Sequence, residues 1–126
     1  YGAVLGTSQF IVKVLVIVNA SPWGGSLPVT ALRLVRALVA DGMCLAAVFF
    51  REEGVYHAVP GRVTDSGTPD LNESWSELAS NAKFPLLLCS SAAQRRLEGT
   101  PGNGFREAGL AEVVELMGEV DRVVTF

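Results

Sequence analysis

Short apolar runs alternate along this chain with longer stretches in which apolar residues recur at helical spacing. The apolar runs are residues 10–18, 43–50, 86–88 and 121–126, and the first two are apolar at almost every position. Runs of this kind, rich in Val, Ile and Phe, are typical of strands that are covered on both faces. We therefore predict a sheet of four to five strands, with residues 10–18 as its central strand.

The stretches between the apolar runs predict helices. Ser26 is a candidate N-cap for the first helix, Thr68 or Asp70 can cap the second, and Gly118 is expected to end the last. Strands that are separated by helices indicate the α/β class with a parallel sheet. The predicted helices are residues 27–40, 70–82, 90–97 and 110–117.

The remaining segments read as loops around a single domain, which we place at residues 10–126. Residues 58–68 and 98–104 are rich in turn-forming residues and are expected to be loop excursions, and residues 51–57 a polar loop or short turn. Residues 1–9 have no clear periodicity, so we interpret them as an N-terminal extension outside the domain.

Composition narrows the class of protein. The net charge of −3 disfavours a nucleic-acid surface, which needs a basic face. The 49% hydrophobic content and the mean hydropathy of +0.35 favour burial against partner subunits, so we expect an oligomer. The longest apolar run, residues 11–18, is too short for a membrane span, and no basic segment of a signal peptide opens the chain.

Two cysteines and one histidine limit the chemistry further. Cys44 and Cys89 make neither a disulfide framework nor a C-x-x-C pair, which favours a reducing cytoplasm. With His57 as the sole histidine, the chain lacks the residues for a structural zinc site, and we expect neither a metal nor a cofactor. Cys44 lies inside a predicted apolar strand and is expected to be inert.

Cys89 is the strongest candidate for a reactive group. It follows the apolar run 86–88 and precedes a predicted helix that Ser90 or Ser91 can cap. The first N–H groups of a helix carry partial positive charge, which favours thiolate over thiol and lowers the pKa of a cysteine placed there. The alternative is a small buried hydrophobe, which is the commoner role of a free cysteine at a strand end.

Parallel strands bring their carboxyl ends to one edge of the sheet, where ligands bind in such folds. The loops that leave this edge are residues 19–26, 51–57 and 89–91, so Arg51 and Tyr56 are expected near the thiol. The turn formed by Trp23, Gly24 and Gly25 could cradle an anion, but it lacks the lysine of a nucleotide-binding loop, and a tight turn is the simpler interpretation.

Three basic residues could have more than one role in relation to Cys89. His57 could act as its base, as in thiol hydrolases, although a loop histidine is usually just solvated. Arg95 and Arg96 lie six and seven residues beyond the cysteine. They are expected to face solvent, an acidic partner or a neighbouring subunit.

Three blocks of sequence carry a family likeness. VFFREEGVY at residues 48–56, CSSAAQRR at residues 89–96 and DRVVTF at residues 121–126 together resemble the DsrE-like sulfur-relay family, over about residues 12–126. The resemblance implies a three-layer α/β/α fold with a mostly parallel sheet, and a cytoplasmic sulfurtransferase subunit in which Cys89 accepts sulfur as a persulfide. It also implies donor and acceptor proteins of a relay, and a homo- or hetero-oligomer of related subunits. The relay would serve tRNA 2-thiouridine synthesis or dissimilatory sulfur metabolism.

The leading hypothesis is therefore a persulfide-carrying sulfurtransferase with Cys89 as the catalytic residue. Ser90 and Ser91 are expected to stabilise the thiolate, and the other candidates for lining the site are Trp23, Gly24, Gly25 and Tyr56. The first alternative is a non-catalytic interaction subunit of a DsrE-like oligomer. The second is a cysteine hydrolase that uses His57.

Overall fold

In the part of the chain that the structure describes, five parallel strands form a single sheet in the order β4-β3-β2-β1-β5. The computed structural model describes residues 12–23, 25–59, 70–98 and 104–126. The strands are β1 (Lys13–Val18), β2 (Cys44–Phe50), β3 (Leu86–Cys89), β4 (Phe105–Ala108) and β5 (Arg122–Thr125).

Within these described ranges, four α-helices and one 3₁₀ helix accompany the sheet. The α-helices are α1 (Leu27–Ala40), α2 (Leu71–Ala82), α3 (Ser90–Arg96) and α4 (Leu110–Glu119), and the 3₁₀ helix spans Glu52–Ala58. None of the helices in the described ranges is long and apolar enough to cross a bilayer.

Alternate residues of the strands build two separate cores, one on each face of the sheet. Val14, Val16 and Val18 of β1 pack with side chains of α1 and α2. Leu15 and Ile17 point to the opposite face, where they pack with side chains of α4. A period of two places successive side chains on opposite faces, so helices on both faces are needed to bury strands of this kind. The predicted three-layer α/β/α fold is confirmed.

The structure corrects the predicted position of β1. β2 is the middle strand, and β1 lies between β2 and β5. Both strands are apolar on both faces, so the hydrophobic pattern does not distinguish the middle strand from its neighbour. β4 was not predicted, because Arg106 and Glu107 interrupt its apolar residues and only Phe105 and Ala108 are buried.

Helix boundaries follow the predicted capping signals closely but not everywhere. The Asp70 carboxylate accepts a hydrogen bond from the Glu73 N–H, which confirms it as the N-cap of α2. Ser26 is the N-cap residue of α1, although its side chain makes no capping hydrogen bond. Gly118 does not end α4, which continues to Glu119 because a glycine weakens a helix without preventing it.

Several predicted features lie outside the described residues. These are the N-terminal extension at residues 1–9, Gly24, Thr68 as an alternative cap, and most of the predicted loops 58–68 and 98–104.

Candidate functional site

The carboxyl ends of β1, β2 and β3 meet at one edge of the sheet. The backbone N–H of Arg51, directly after β2, donates to the Val18 carbonyl at the end of β1 over 3.0 Å. Phe50 of β2 pairs with Leu88 of β3, so the next residues of the two strands are Arg51 and Cys89. Parallel pairing therefore places the cysteine beside the arginine.

Cys89 is both the last residue of β3 and the N-cap residue of α3. The expected cap, Ser90 or Ser91, is thus wrong: the helix starts one residue earlier, and no side chain caps it. The Ser91 hydroxyl instead lies 3.4 Å from Cys89 Sγ, a distance at which either atom could donate a weak hydrogen bond. The cysteine is partly exposed, which gives its sulfur access to another molecule.

The surroundings of Cys89 lower the pKa of its thiol. Desolvation by burial is the largest single effect and raises the pKa. Its influence is outweighed by hydrogen bonds from the Ser91 side chain and from the backbone N–H groups of Ala92 and Ser91, together with the positive charge of Arg51. Each of these favours the thiolate, which is the reactive form of cysteine.

An ion-pair chain lies beside the cysteine. One carboxylate oxygen of Glu52 lies 3.9 Å from the Arg51 guanidinium, and the other lies 3.8 Å from that of Arg96. Arg95 donates from Nε to the Ser91 carbonyl over 3.3 Å, so its side chain folds back along α3. The three arginines are solvent-exposed, as the sequence suggested for Arg95 and Arg96.

An aromatic pair joins two of the loops at this edge. The rings of Trp23 and Tyr56 lie 5.1 Å apart between centroids and are tilted by 40°. The Ser21 hydroxyl donates to the Trp23 carbonyl over 3.0 Å and holds the turn. Gly25 is exposed at the end of this turn. The arrangement connects the first loop to the 3₁₀ helix that follows Arg51.

Gly54 explains how the 3₁₀ helix reaches the end of β1. A Cβ atom on this residue would lie 2.1 Å from the Val18 carbonyl oxygen, so only glycine fits. Glu52, two residues earlier, has a φ of 50°, which turns the chain sharply after Arg51. Neither the close approach of Gly54 nor the conformation of Glu52 follows from the hydrophobic pattern. The signal for Gly54 in the sequence is a glycine within the polar segment 51–57.

His57 is buried and has a structural environment. Its Nε2 lies 3.0 Å from the Ala20 carbonyl, to which it donates, and its Nδ1 has no hydrogen-bond partner among the residues that the structure describes. Desolvation by burial lowers the pKa of His57 from 6.5 to about 4, although the bond to Ala20 opposes this change. The imidazole is therefore neutral at pH 7. The Cys89 sulfur is hydrogen-bonded to Ser91 and to the Ala92 N–H, not to His57. These contacts give no support to a cysteine hydrolase.

The second cysteine occupies a different setting from the one expected. Cys44 is the first residue of β2 and is exposed. It lies at the amino edge of the parallel sheet, opposite the edge that carries Cys89. Among the described residues, no three His, Cys, Asp or Glu side chains cluster in a way that could hold a metal ion.

The fold and the strand-end cysteine define a class of protein. The chain belongs to the DsrE/DsrF-like family, whose family model matches residues 12–126. The protein named ychN of E. coli has a similar structure, with a TM-score of 0.82 and 22% identity over 92% of this chain and all of that chain. At this identity the likeness shows the fold.

Curated relatives add a more specific likeness within the family. "Sulfurtransferase TusD" of Cronobacter sakazakii is 34% identical over 122 residues, which cover 86% of this chain and 95% of that protein. "Sulfurtransferase TusD homolog" of Vibrio vulnificus is 32% identical over 123 residues, which cover 87% and 94%. The predicted resemblance is confirmed, and these names support sulfur transfer as the general activity.

Proposed function

We propose that residues 10–126 form a single-domain, cytoplasmic sulfurtransferase subunit of a sulfur relay, which carries sulfur as a persulfide on Cys89. The observation that carries this proposal is the setting of Cys89: a partly exposed thiol whose pKa is lowered at the end of a parallel strand. Membership of the DsrE/DsrF-like family and the sulfurtransferase names of the relatives support the same activity.

The chemistry needs only thiolates and a sulfane sulfur. The Cys89 thiolate attacks the outer sulfur of a donor persulfide, R–S–SH, and forms a new S–S bond while the original S–S bond breaks. The electron pair of the broken bond leaves on the donor as R–S⁻. A thiolate of the acceptor protein then attacks the outer sulfur on Cys89 in the same way, which regenerates the Cys89 thiolate. No oxidant or metal takes part in either step.

The site suits an exchange between proteins. Cys89 is partly exposed, as exchange with two successive partner thiols requires. The residues proposed to line the approach are Ser90, Ser91, Trp23, Gly25 and Tyr56. Gly24 is proposed with them from its place in the sequence. The acceptor would act in tRNA 2-thiouridine synthesis or in dissimilatory sulfur metabolism.

An apolar stripe on α4 supports contacts with related subunits. Leu110, Val114 and Met117 are 78%, 57% and 43% exposed and recur at helical spacing. Contiguous exposed apolar side chains of this kind mark protein interaction surfaces. A homo- or hetero-oligomer is therefore part of the proposal.

The test is intact-protein mass spectrometry after incubation with a persulfide donor. We expect the parent protein to gain the mass of one sulfur atom, and reduction with dithiothreitol to remove it. Cys89→Ser is expected to lose this gain. Cys44→Ser is the matched control and is expected to keep the gain, because Cys44 lies at the opposite edge of the sheet. Cys44 is the more exposed thiol, so the control also tests whether exposure alone is sufficient for loading.

Two results would contradict the carrier role. Loading of Cys89→Ser to the level of the parent would show that another group accepts sulfur. The lack of sulfur on all three proteins, with a donor that loads a known carrier, would favour the alternative of a non-catalytic interaction subunit that contributes its apolar surface to an oligomer.

A further inference from the structure

We propose that Arg51 is a positioning residue of the sulfur-transfer site, which stabilises the negative charge on the Cys89 sulfur, and that Glu52 and Gly54 hold it beside the cysteine. The proposal rests on the proposed function, since it assigns a second residue to the same reaction.

The register of the sheet places Arg51 beside Cys89. β2 and β3 are parallel neighbours with Val48, Phe49 and Phe50 opposite Leu86, Leu87 and Leu88. One residue further, Arg51 follows β2 where Cys89 ends β3. Adjacent strands of a sheet are about 4.8 Å apart, so the arginine backbone lies next to the cysteine backbone. Of the arginines within the strands, Arg106 of β4 lies opposite Leu87 and Arg122 of β5 lies opposite Val14, so neither pairs at the position of Cys89.

The turn after β2 fixes the backbone of Arg51 on both sides. Its N–H donates to the Val18 carbonyl over 3.0 Å, and its own carbonyl accepts from the Gly54 N–H over 2.7 Å. Glu52 adopts a φ of 50°, a left-handed conformation that costs about 1 kcal/mol or more for a residue with a Cβ. Backbone strain of this kind is concentrated at functional sites, where the surrounding contacts enforce it.

The charges at this edge leave Arg51 only partly compensated. Glu52 shares its single carboxylate between Arg51 and Arg96. The neighbouring elements also carry charged residues: Glu53 on the 3₁₀ helix, Arg95 on α3 and Glu107 on β4, which accepts from Gln94 over 3.4 Å. Of all these groups, Arg51 is the one whose charge acts on the Cys89 thiol and favours the thiolate.

The Arg51 guanidinium can stabilise the negative charge both before and after sulfur is loaded on Cys89. Before the transfer the negative charge lies on Cys89 Sγ. After attack on a donor persulfide the product is Cys89–S–SH, which loses its proton to solvent and carries the charge on the outer sulfur. That sulfur is one S–S bond away, about 2.05 Å. A guanidinium on a long, exposed side chain can follow the charge over this distance.

The test measures the reactivity of Cys89 without any sulfur donor. In a Cys44→Ser background the rate of alkylation by iodoacetamide is followed from pH 5 to pH 10. Iodoacetamide is uncharged, so the rate reports the thiolate and not the attraction of the reagent to arginine. The variants are Arg51→Gln, Arg51→Lys and the matched control Arg122→Gln, which removes an exposed arginine at the amino edge of the sheet.

We expect Arg51→Gln to move the midpoint of the alkylation profile to higher pH. Its rate at pH 7 should fall about two- to fivefold, the range for a partly solvated charge pair. Arg51→Lys should retain most of the parent behaviour, and Arg122→Gln all of it. An unchanged midpoint in Arg51→Gln, or an equal shift in Arg51→Lys, would overturn the proposal.

The two proposals fail separately. Persulfide loading of Cys89 is measured by mass spectrometry in the parent, whereas the alkylation profile needs no sulfur donor. A parent that loads sulfur while Arg51→Gln keeps the parent alkylation profile would remove Arg51 from the site and leave the carrier function intact. Circular dichroism of each variant checks that a change in rate does not come from unfolding.

Discussion

Gly54 is the residue at which the candidate site tolerates the least change. Its Cα faces the Val18 carbonyl so closely that a methyl group would overlap the oxygen, with a separation of 2.1 Å. The clash is with backbone, and the backbone on both sides is held: Val18 ends a strand that is buried from Val14 onward, and the Gly54 N–H donates to the Arg51 carbonyl. Relief would therefore require the 3₁₀ helix to move away from β1.

We expect Gly54→Ala to lower the free energy of unfolding by at least about 2 kcal/mol, because the clash can be relieved only by a backbone shift. Urea denaturation followed by circular dichroism measures this. Gly118→Ala is the control: nothing lies within 4 Å of the added methyl group, and alanine favours the helix, so a gain of up to about 1 kcal/mol is expected. Equal stability of Gly54→Ala and the parent would contradict the close approach.

At the scale of the elements, the end of α2 shows a second strained position. Lys83 is the C-cap residue, with φ 60° and ψ 52°, and its N–H donates to the Ala79 carbonyl. Helices commonly end with a residue in this left-handed conformation, and glycine is the residue that adopts it without a steric cost. The lysine adopts the same turn, but its Cβ atom makes the left-handed conformation less favourable than it would be for glycine.

We therefore predict that Lys83→Gly stabilises the protein by about 1 kcal/mol, which corresponds to a rise in Tm of about 4 °C. A thermal melt followed by circular dichroism tests it. Lys83→Ala is the matched control, since it removes the same side chain but retains the Cβ and should give no such gain. If both variants were stabilised equally, the effect would come from the lost charge and not from the backbone.

The elements also show where sequence patterns were sufficient. α1 matches its predicted range of 27–40, because the candidate cap Ser26 and the pair Asp41-Gly42 mark its ends locally. β4 was missed because an edge strand with two exposed charged residues has no hydrophobic signature. Residue preference predicts a serine as the N-cap of α3, whereas β3 continues to Cys89 and the cysteine occupies the N-cap position.

At the scale of the whole molecule, His57 connects segments that are distant in sequence. It donates to the Ala20 carbonyl after β1, and its own carbonyl accepts from the Asn72 side chain of α2 over 2.9 Å. Its ring packs against Phe50 and Trp75, with centroids 5.2 and 6.3 Å away. A protonated Nδ1 would place a charged N–H in this buried environment, where the described part of the chain offers it no hydrogen-bond acceptor.

Stability should therefore fall as the pH falls from 6.5 to 4. The folded state holds His57 neutral down to a pKa of about 4, whereas the unfolded chain binds the proton near 6.5. Between these values the unfolded state binds more protons than the folded state. The contribution of His57 to the free energy of unfolding is therefore fully present above pH 6.5 and is lost below it, by about 3 kcal/mol in total. Urea unfolding at pH 7, 5.5 and 4.5 measures the decline.

His57→Gln is the control for this prediction, because a glutamine amide can donate to Ala20 but does not titrate. Its stability should change much less between pH 7 and pH 4.5. His57 is the sole histidine of the chain, so no second histidine complicates the result. A parent whose stability is constant over this range would contradict the buried, neutral imidazole.

The sequence by itself determined the class of fold and the position of the thiol. Both depend on local signals: runs that are apolar at every position need cover on both faces, and a cysteine between such a run and a helix must lie at the start of that helix. The sequence also places Arg51, Tyr56 and His57 at one edge of the sheet, because parallel strands share the edge at which they end.

Only the tertiary structure decided which residues at that edge act on one another. Strand order and register made Arg51 the neighbour of Cys89, buried His57 away from solvent, and paired Glu52 with two arginines. These facts depend on which apolar strand lies beside which. The apolar pattern does not determine the strand order, because the hydrophobic effect is non-directional and depends on the apolar area that is buried. Strands that are buried on both faces gain nearly the same free energy at either position in the sheet.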